Sequence, residues 1–356
     1  MARPDLKFGK KLKKYGAVDF NACYNCGTCT AVCALASETD SFPREMVRYS
    51  VLGLDEEIKG SLKPWLCYYC GECSTYCPQE AQPGELMMSL RRYLISRYDW
   101  TGLSGLLCRS LAAYAAAFLA VVAGLMGLFF FSGWGQKEWM HYGHLFEMAA
   151  IGGVFAFILL PNIVRMWYFT VWKRKKTLRM KTYLLALPEL LLHMFTQKRT
   201  LSCNDERDNT LWWFEHLVLV LGYLGLLFAT VFLDWFASTH PVVVAAGYVL
   251  SAVVFVVTFD FVIRRIRKRS EKSVFSHPSD WFFVIWLFLM GISAFGVRLL
   301  VDLGALAGHF WLYLLHLTVL VQWALIIVPF GKWTHFLYRS FAMYFDRIVK
   351  MESPAA

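Results

Sequence analysis

Eight of the ten cysteines form two runs, Cys23, Cys26, Cys29, Cys33 and Cys67, Cys70, Cys73, Cys77, each spaced C-x2-C-x2-C-x3-C. Three thiolates on one tight turn can face three irons of a cubane, and in two-cluster ferredoxins the fourth cysteine of each run reaches the other cluster. The spacing therefore predicts two [4Fe-4S] clusters with crossed ligands. Cluster 1 takes Cys23, Cys26, Cys29 and Cys77, and cluster 2 takes Cys67, Cys70, Cys73 and Cys33. Structural zinc also uses four thiolates, but usually as separated C-x2-C pairs rather than unbroken runs. Gly27 and Gly71 sit inside the turns, where backbone amides must approach cluster sulfurs closely. The second run ends in Cys77-Pro78, as the bacterial pattern does, whereas Cys33 precedes Ala34. Cys108 and Cys203 lie outside the pattern and read as ordinary residues.

Histidine supplies the second set of candidate ligands. Of nine histidines, His216 and His316 lie inside long apolar stretches, and His335 lies just beyond one. An unpaired imidazole is costly at membrane depth, so such residues usually have a role there. A single one is more often a hydrogen-bonded core residue, since polar side chains glue transmembrane helices together. Matched depth favours haem instead. His141, His193, His277 and His309 fall in loops or at edges and carry no assignment.

The elements that must hold these residues divide the chain in two. Of its 356 residues, 57% are apolar and 17% charged, which excludes an ordinary soluble enzyme. The net charge of +10 comes from short basic runs between apolar stretches rather than from one basic face, which argues against nucleic acid. Residues 1–16 are basic but lack the apolar core of a secretory signal. Residues 17–103 mix polar and apolar positions, with helix-like spacing over 44–54 and 86–98 and little strand-like alternation. The two runs start 44 residues apart, at Cys23 and Cys67, too far for a compact βαββαβ ferredoxin. An all-α fold follows, with a soluble iron-sulfur domain over 1–103, a membrane domain over 104–340 and a tail over 341–356.

Six stretches reach the roughly 20 apolar residues that a crossing needs: 106–131, 145–172, 211–233, 241–263, 281–301 and 310–330. Residues 183–195 are too short and carry Pro188 and Glu189, so they predict a re-entrant or surface-lying helix. Segments 173–210, 264–280 and the tail after 331 carry nine, six and four basic residues, while the opposite loops hold only Lys137. By the positive-inside rule, both termini and the cysteine domain lie on the cytoplasmic side of the inner membrane.

In that orientation His216 and His335 share the inner depth, which predicts one haem between them. His316 is 19 residues before His335, about 28 Å of continuous helix, which places a second haem near the outer face. Its partner is His144 or His240, with His144 preferred because His240 precedes Pro241 and fits a helix start. No C-x-x-C-H occurs, so any haem is b-type and noncovalent. Arg298 and Asp302, one turn apart, can pair with each other or serve a haem propionate or quinone. Glu147 and Glu215 are candidate proton carriers beside these ligands.

The segments CYNCGTCTAVC and CYYCGECSTYCP resemble the iron-sulfur subunit of heterodisulfide reductase, HdrC. WLYLLHLTVLVQWALIIVPFGKWTHFLYR is similar to the last helix of cytochrome b subunits of the nitrate reductase gamma and HdrE kind. In those cytochromes two histidines at nearly this spacing bind two haems, which implies the same for His316 and His335. The helix matching the third span there carries a second histidine about three turns on, where this chain has Leu226, Leu227 and Phe228. A fusion of these two parts resembles the QmoC-type membrane subunits of quinone-interacting oxidoreductase complexes. That resemblance implies menaquinone as membrane carrier, flavin-bearing soluble subunits of the QmoA and QmoB kind as partners, and adenylylsulfate reductase as the ultimate soluble acceptor.

The expected function is thus a membrane electron-transfer subunit linking menaquinol, haem b and two clusters to soluble flavoproteins. No G-x-G-x-x-G occurs, so substrate chemistry belongs to partners and no catalytic residue is assigned. The rivals are a redox-sensing transporter, against which the lack of a visible inverted repeat counts, and a haem-free membrane anchor for an iron-sulfur carrier.

Overall fold

A computed structural model describes residues 3–38, 40–174, 179–198, 206–268 and 274–352, with side chains described for all of these except 206–209. Cys203 and several of the basic loop residues lie outside these ranges. Among the described residues the chain is helical, with no strand and one isolated bridge between Ser37 and Asp40.

Seven helices make the soluble part: α1 (Phe8–Lys13), α2 (Thr28–Ala31), α3 (Arg44–Leu52), α4 (Asp55–Lys59), α5 (Lys63–Leu66), α6 (Glu72–Thr75) and α7 (Pro83–Tyr98). Helix α3 matches the expected 44–54 but stops at Gly53, whose left-handed conformation returns the chain to the carbonyls of Tyr49 and Ser50. Pro64 and Pro83 stand in the first turns of α5 and α7, where a missing N–H costs nothing. Helix α7 is buried along nearly its whole length and is the axis of this part.

After α8 (Leu103–Arg109), six helices are long and apolar enough to cross a membrane, the mark of a multi-pass membrane protein. They are α9 (Leu111–Phe131), α10 (Gln136–Trp172), α12 (Thr210–Phe232), α13 (Pro241–Arg267), α14 (Pro278–Asp302) and the segment Leu306–Glu352. These are the six spans read from the sequence, with most boundaries moved by a few residues and the starts of the first two moved furthest. The first span, expected from 106, breaks at Ser110, which leaves helical geometry and accepts a hydrogen bond from the Ala113 N–H at 3.2 Å as an N-cap. The second begins at Gln136 rather than 145. Within it Pro161 offers no N–H to the Phe157 carbonyl one turn back, and the helix widens into a π-helical turn over Phe155–Leu159. The Trp100 indole donates to the Phe157 carbonyl at 2.9 Å.

The last segment is interrupted. Helix α15 runs Phe310–Gln322, passes through a π-helical turn Trp323–Ile327 to Phe330, and ends where Gly331 turns to extended backbone. A Cβ at Gly331 would lie 2.6 Å from the Ile327 carbonyl oxygen, so the break needs glycine. His335 therefore sits on a separate helix, α16 (Thr334–Glu352), and the continuous 28 Å helix expected between His316 and His335 is not formed. Helix α16 runs on past residue 341 and packs along α11 (Met180–Thr196), the short stretch carrying Pro188. The Tyr344 hydroxyl donates to the Tyr183 carbonyl at 3.1 Å.

One hydrophobic core crosses from the soluble part into the membrane part. Trp65, Leu90 and Tyr98 pack in the same cluster as Met166 of α10 and Tyr338 and Phe345 of α16. Arg165 reinforces the seam by donating from Nε to the Tyr98 carbonyl at 2.9 Å.

Candidate functional site

The two cysteine runs fold as copies of one turn. Asn25 and Tyr69 adopt φ of 67° and 59°, and Gly27 and Gly71 adopt 91° and 93°. These left-handed residues curl each run so that amides face sulfur. The Asn25 N–H donates to Cys23 Sγ at 3.4 Å, the Tyr69 N–H to Cys67 Sγ at 3.3 Å, and the Ala81 N–H to Cys77 Sγ at 3.4 Å. Amides aimed at sulfur are what a ligated cluster needs to offset its negative charge. Gly27 and Gly71 then begin α2 and α6, which pack against each other and bring the runs together.

The thiols interleave across the runs. Burial raises the Cys29 thiol above its ordinary range, and the neighbouring Cys23, Cys26 and Cys77 push it the same way. Burial likewise pushes Cys33 up to about 11, and its thiol neighbours are Cys67 and Cys70 of the other run. Cys73 is also raised by burial, next to Cys67, Cys70 and Cys33. Cys26 differs: the hydrogen bond from Thr28 Oγ1, 3.3 Å away, lowers its thiol. Among the described residues no three His, Cys, Asp or Glu side chains converge as the ligands of a single ion would. A cubane takes its thiolates at separate corners, and the amides, the left-handed turns and the interleaved thiols all fit that group.

Between the soluble part and the bilayer helices lies a cavity of about 750 Å³, within the usual range of roughly 300–1,000 Å³ for cofactor sites. His216 and His335, predicted as a pair, both line it, and so do Tyr69 and Cys70 of the second cysteine run. His216 Nδ1 is 2.5 Å from Gln197 Oε1, and its ring stacks on Trp212 at 5.1 Å. A carboxamide oxygen can only accept, so the proton belongs on Nδ1, and Nε2 is the nitrogen suited to a metal. The His335 ring lies beside that of Trp65, with centroids 6.1 Å apart and the planes tilted by 47°.

The cavity wall is rich in cations: Arg91, Arg92, Arg264, Arg265, Lys332 and Arg339 among them. Its acids are largely paired. Asp280 meets Arg92 at 3.1 Å and Lys332 at 2.9 Å, Glu85 meets Arg92 at 3.2 Å, and Asp260 meets Arg264 at 2.5 Å. Tyr69, from the turn of the second run, donates to Glu85 at 2.8 Å, which ties that turn to the wall. Such a lining suits a flat apolar ligand carrying carboxylates.

The outer histidines are placed differently. His316 is buried, with Nδ1 2.9 Å from Ser293 Oγ and the Phe236 ring at 5.4 Å. His144 is half-buried and 3.8 Å from Glu147, while His240 is exposed at the N-terminus of α13. The Ser293 hydroxyl thus fixes the Nδ1 side of His316. Arg298 pairs with Asp302 at 2.7 Å and also donates to the Phe236 carbonyl at 3.0 Å. Glu215 pairs with Arg264 at 2.6 Å.

Comparison with known proteins bears on the soluble part. Residues 19–81 match the 4Fe-4S dicluster domain. Over 62 residues the chain is 32% identical to the HdrC subunits of the H(2):CoB-CoM heterodisulfide,ferredoxin reductases of Methanothermobacter thermautotrophicus and Methanothermobacter marburgensis. That stretch is 17% of this chain and 34% of each relative, so the chain spans about a third of the length of the relatives it matches. No solved structure matches the chain. Among the described residues, a two-cluster iron-sulfur domain is thus joined to a bundle of helices long and apolar enough to cross a membrane.

Several cavity residues carried no signal in the sequence. Arg91 and Arg92, inside the helix-like stretch 86–98, are buried although charged, and Gln197 follows α11 without any motif. His193, assigned no role, lines the cavity and meets Glu189 at 2.8 Å. Its four-residue spacing from Glu189 on a helix was the available clue.

Proposed function

We propose that the chain is the membrane electron-transfer subunit of a respiratory oxidoreductase complex, linking menaquinol in the bilayer through haem b and two [4Fe-4S] clusters to soluble flavoprotein subunits. The observation that carries this reading is a cavity lined at once by His216, His335 and Cys70. Bound haem and clusters supply one-electron exchange without making or breaking bonds to the substrate. The residues do the rest. Cys23, Cys26, Cys29 and Cys77 hold one cluster and Cys67, Cys70, Cys73 and Cys33 the other, as the interleaving of Cys29 and Cys33 supports. His216 and His335 would hold an inner haem b, with Gln197 fixing the His216 tautomer. The cationic wall takes the haem carboxylates.

A second, outer haem b belongs to His316, with His144 as its partner and His240 as the alternative. The basic loops put both termini and the cluster domain on the cytoplasmic side of the inner membrane. There the soluble partners are flavin-bearing subunits of the QmoA and QmoB kind, with adenylylsulfate reductase as the acceptor beyond them. The reductase relatives are themselves named as subunits, which supports assembly into a complex.

His216→Ala and His335→Ala test the reading. Each variant, purified in detergent, loses the inner haem by pyridine haemochrome assay while keeping its non-haem iron. A full haem complement in either variant overturns the pairing. Gln197→Leu, which spares the ligand but not its orientation, weakens haem retention by about 10- to 100-fold.

A further inference from the structure

The two cysteine sets differ in where they face. Of the set Cys67, Cys70, Cys73 and Cys33, Cys67 and Cys73 are each 8% exposed, and Cys70 lines the cavity beside Tyr68 and Tyr69. Cys67 directly follows α5, whose Trp65 lies beside His335 and packs on Tyr338 at 5.4 Å. Arg91 donates to the carbonyls of Pro64 and Cys67 while lining the same cavity. Cys67 and Cys70 of this set thus lie toward the membrane helices. The set Cys23, Cys26, Cys29 and Cys77 faces the other way. Cys26 is exposed, and so are Tyr24 beside it, at 59%, and Tyr76 directly before Cys77, at 57%. The helix that opens beyond it, α2, packs on α6 rather than on a bilayer helix.

We infer that the two clusters act in a fixed order, with the one held by Cys67, Cys70, Cys73 and Cys33 proximal to the membrane cavity and the one held by Cys23, Cys26, Cys29 and Cys77 terminal. A soluble redox protein exchanges electrons at the edge marked by Cys26, Tyr24 and Tyr76. This rests on the cross-ligated reading above and deepens it. One electron moves at a time between the cavity ligand, the proximal set, the terminal set and the soluble partner, and each site is reduced as its neighbour is oxidised. No bond forms or breaks, and the relay itself needs no proton. The order follows from placement: Cys70 lines the cavity and Cys67 follows the helix that carries Trp65, whereas Cys26 of the other set is exposed.

The experiment uses the full-length protein in detergent, reduced by dithionite and read by electron paramagnetic resonance at low temperature. Thr28→Ala removes the hydroxyl 3.3 Å from Cys26 Sγ without touching a ligand, so the cluster signal whose potential it shifts belongs to the terminal set. A water-soluble dysprosium chelate then speeds the relaxation of that signal and leaves the other little changed. Equal effects on both signals, or a stronger effect on the unshifted one, overturn the order. This readout needs no haem, so it stands apart from the haem proposal. Where haem is retained, stopped-flow reduction by a viologen radical adds a second readout. Cys26→Ser and Cys70→Ser both slow haem reduction at least tenfold. If Cys26→Ser leaves the rate at that of the native chain, electrons enter without the terminal set and the order fails.

Discussion

The ring of Trp65 lies 6.1 Å from that of His335, and through this contact the soluble domain reaches the membrane histidine directly. Trp65 is fully buried, two residues before Cys67, and His335 stands just past the break at Gly331. A cluster ligand and a candidate haem ligand are thus each within a short covalent reach of one aromatic contact. The continuous core around it, from Tyr98 to Tyr338 and Phe345, makes the two parts one packed unit rather than tethered modules.

Truncating that contact should loosen both sides. Trp65→Ala removes a fully buried indole, and a change of this size typically costs about 3–5 kcal/mol. The expected outcome is a lower Tm in differential scanning fluorimetry, with a shifted potential of the inner haem. Trp65→Phe, which keeps the aromatic face, should recover most of both. A Trp65→Ala protein with native Tm would show that the seam is held elsewhere.

Arg92 bridges Glu85 of the soluble domain and Asp280 of α14. Removing one member of a buried ion pair leaves a charge without its partner, at a cost of about 3–5 kcal/mol. Arg92→Ala should therefore destabilise more than Lys332→Ala, because Lys332 touches Asp280 but not Glu85. Pairing Arg92→Ala with Asp280→Asn should recover part of the loss. Thermal unfolding of the three variants in one detergent distinguishes these outcomes.

Gly71 and Gly27 adopt a backbone conformation that costs an L-residue about 1–2 kcal/mol. Gly71→Ala strains the turn of the second run, and Gly27→Ala that of the first. Each should lower non-haem iron from about eight per chain toward four, since a cubane holds four irons. Iron analysis of purified protein reads this directly, and iron that stays at eight in both would mean that the turns tolerate a side chain.

Cys33 has its thiol pushed up to about 11 by burial. Ligation needs the thiolate, so a raised thiol holds its proton at neutral pH and must release it when iron binds. Reconstitution of the iron-free protein with ferrous iron and sulfide should therefore be faster at pH 9 than at pH 7 and release protons into a weakly buffered solution. Cys33→Ala should reduce the proton yield and leave the first-run turn of Cys23, Cys26 and Cys29 able to assemble. A rate independent of pH would contradict the sign.

What the sequence showed and what it hid follow from locality. The cysteine turns depend on a few adjacent residues, so spacing alone located Cys23 to Cys33 and Cys67 to Cys77 inside the matched domain. The six spans depend on sustained apolar length, which is equally local, and all six were found. Features set by single residues were missed: the Ser110 cap, the Pro161 distortion and, although the last span was ended correctly at 330, the break at Gly331 that makes the helix of His335 a separate one, each of which turns on a contact that hydropathy averages away. The cavity was invisible for another reason. Its wall joins Arg91, Asp280, His216 and His335 from four separate stretches, and only packing shows that they face one space. Depth along the spans pointed to His216 and His335, which line one cavity, whereas the Ser293 hydroxyl beside His316 and the Glu147 carboxylate beside His144 carry no signal in hydropathy.

The proposed haem b between His216 and His335, beside the iron-sulfur domain, is tested most directly by the dithionite-reduced minus oxidised visible spectrum of the detergent-purified protein, with pyridine haemochrome and non-haem iron determined on the same sample. At least one b-type haem per chain with about eight non-haem irons is the predicted result. Eight irons with no haem would contradict it, leaving a haem-free anchor for the clusters.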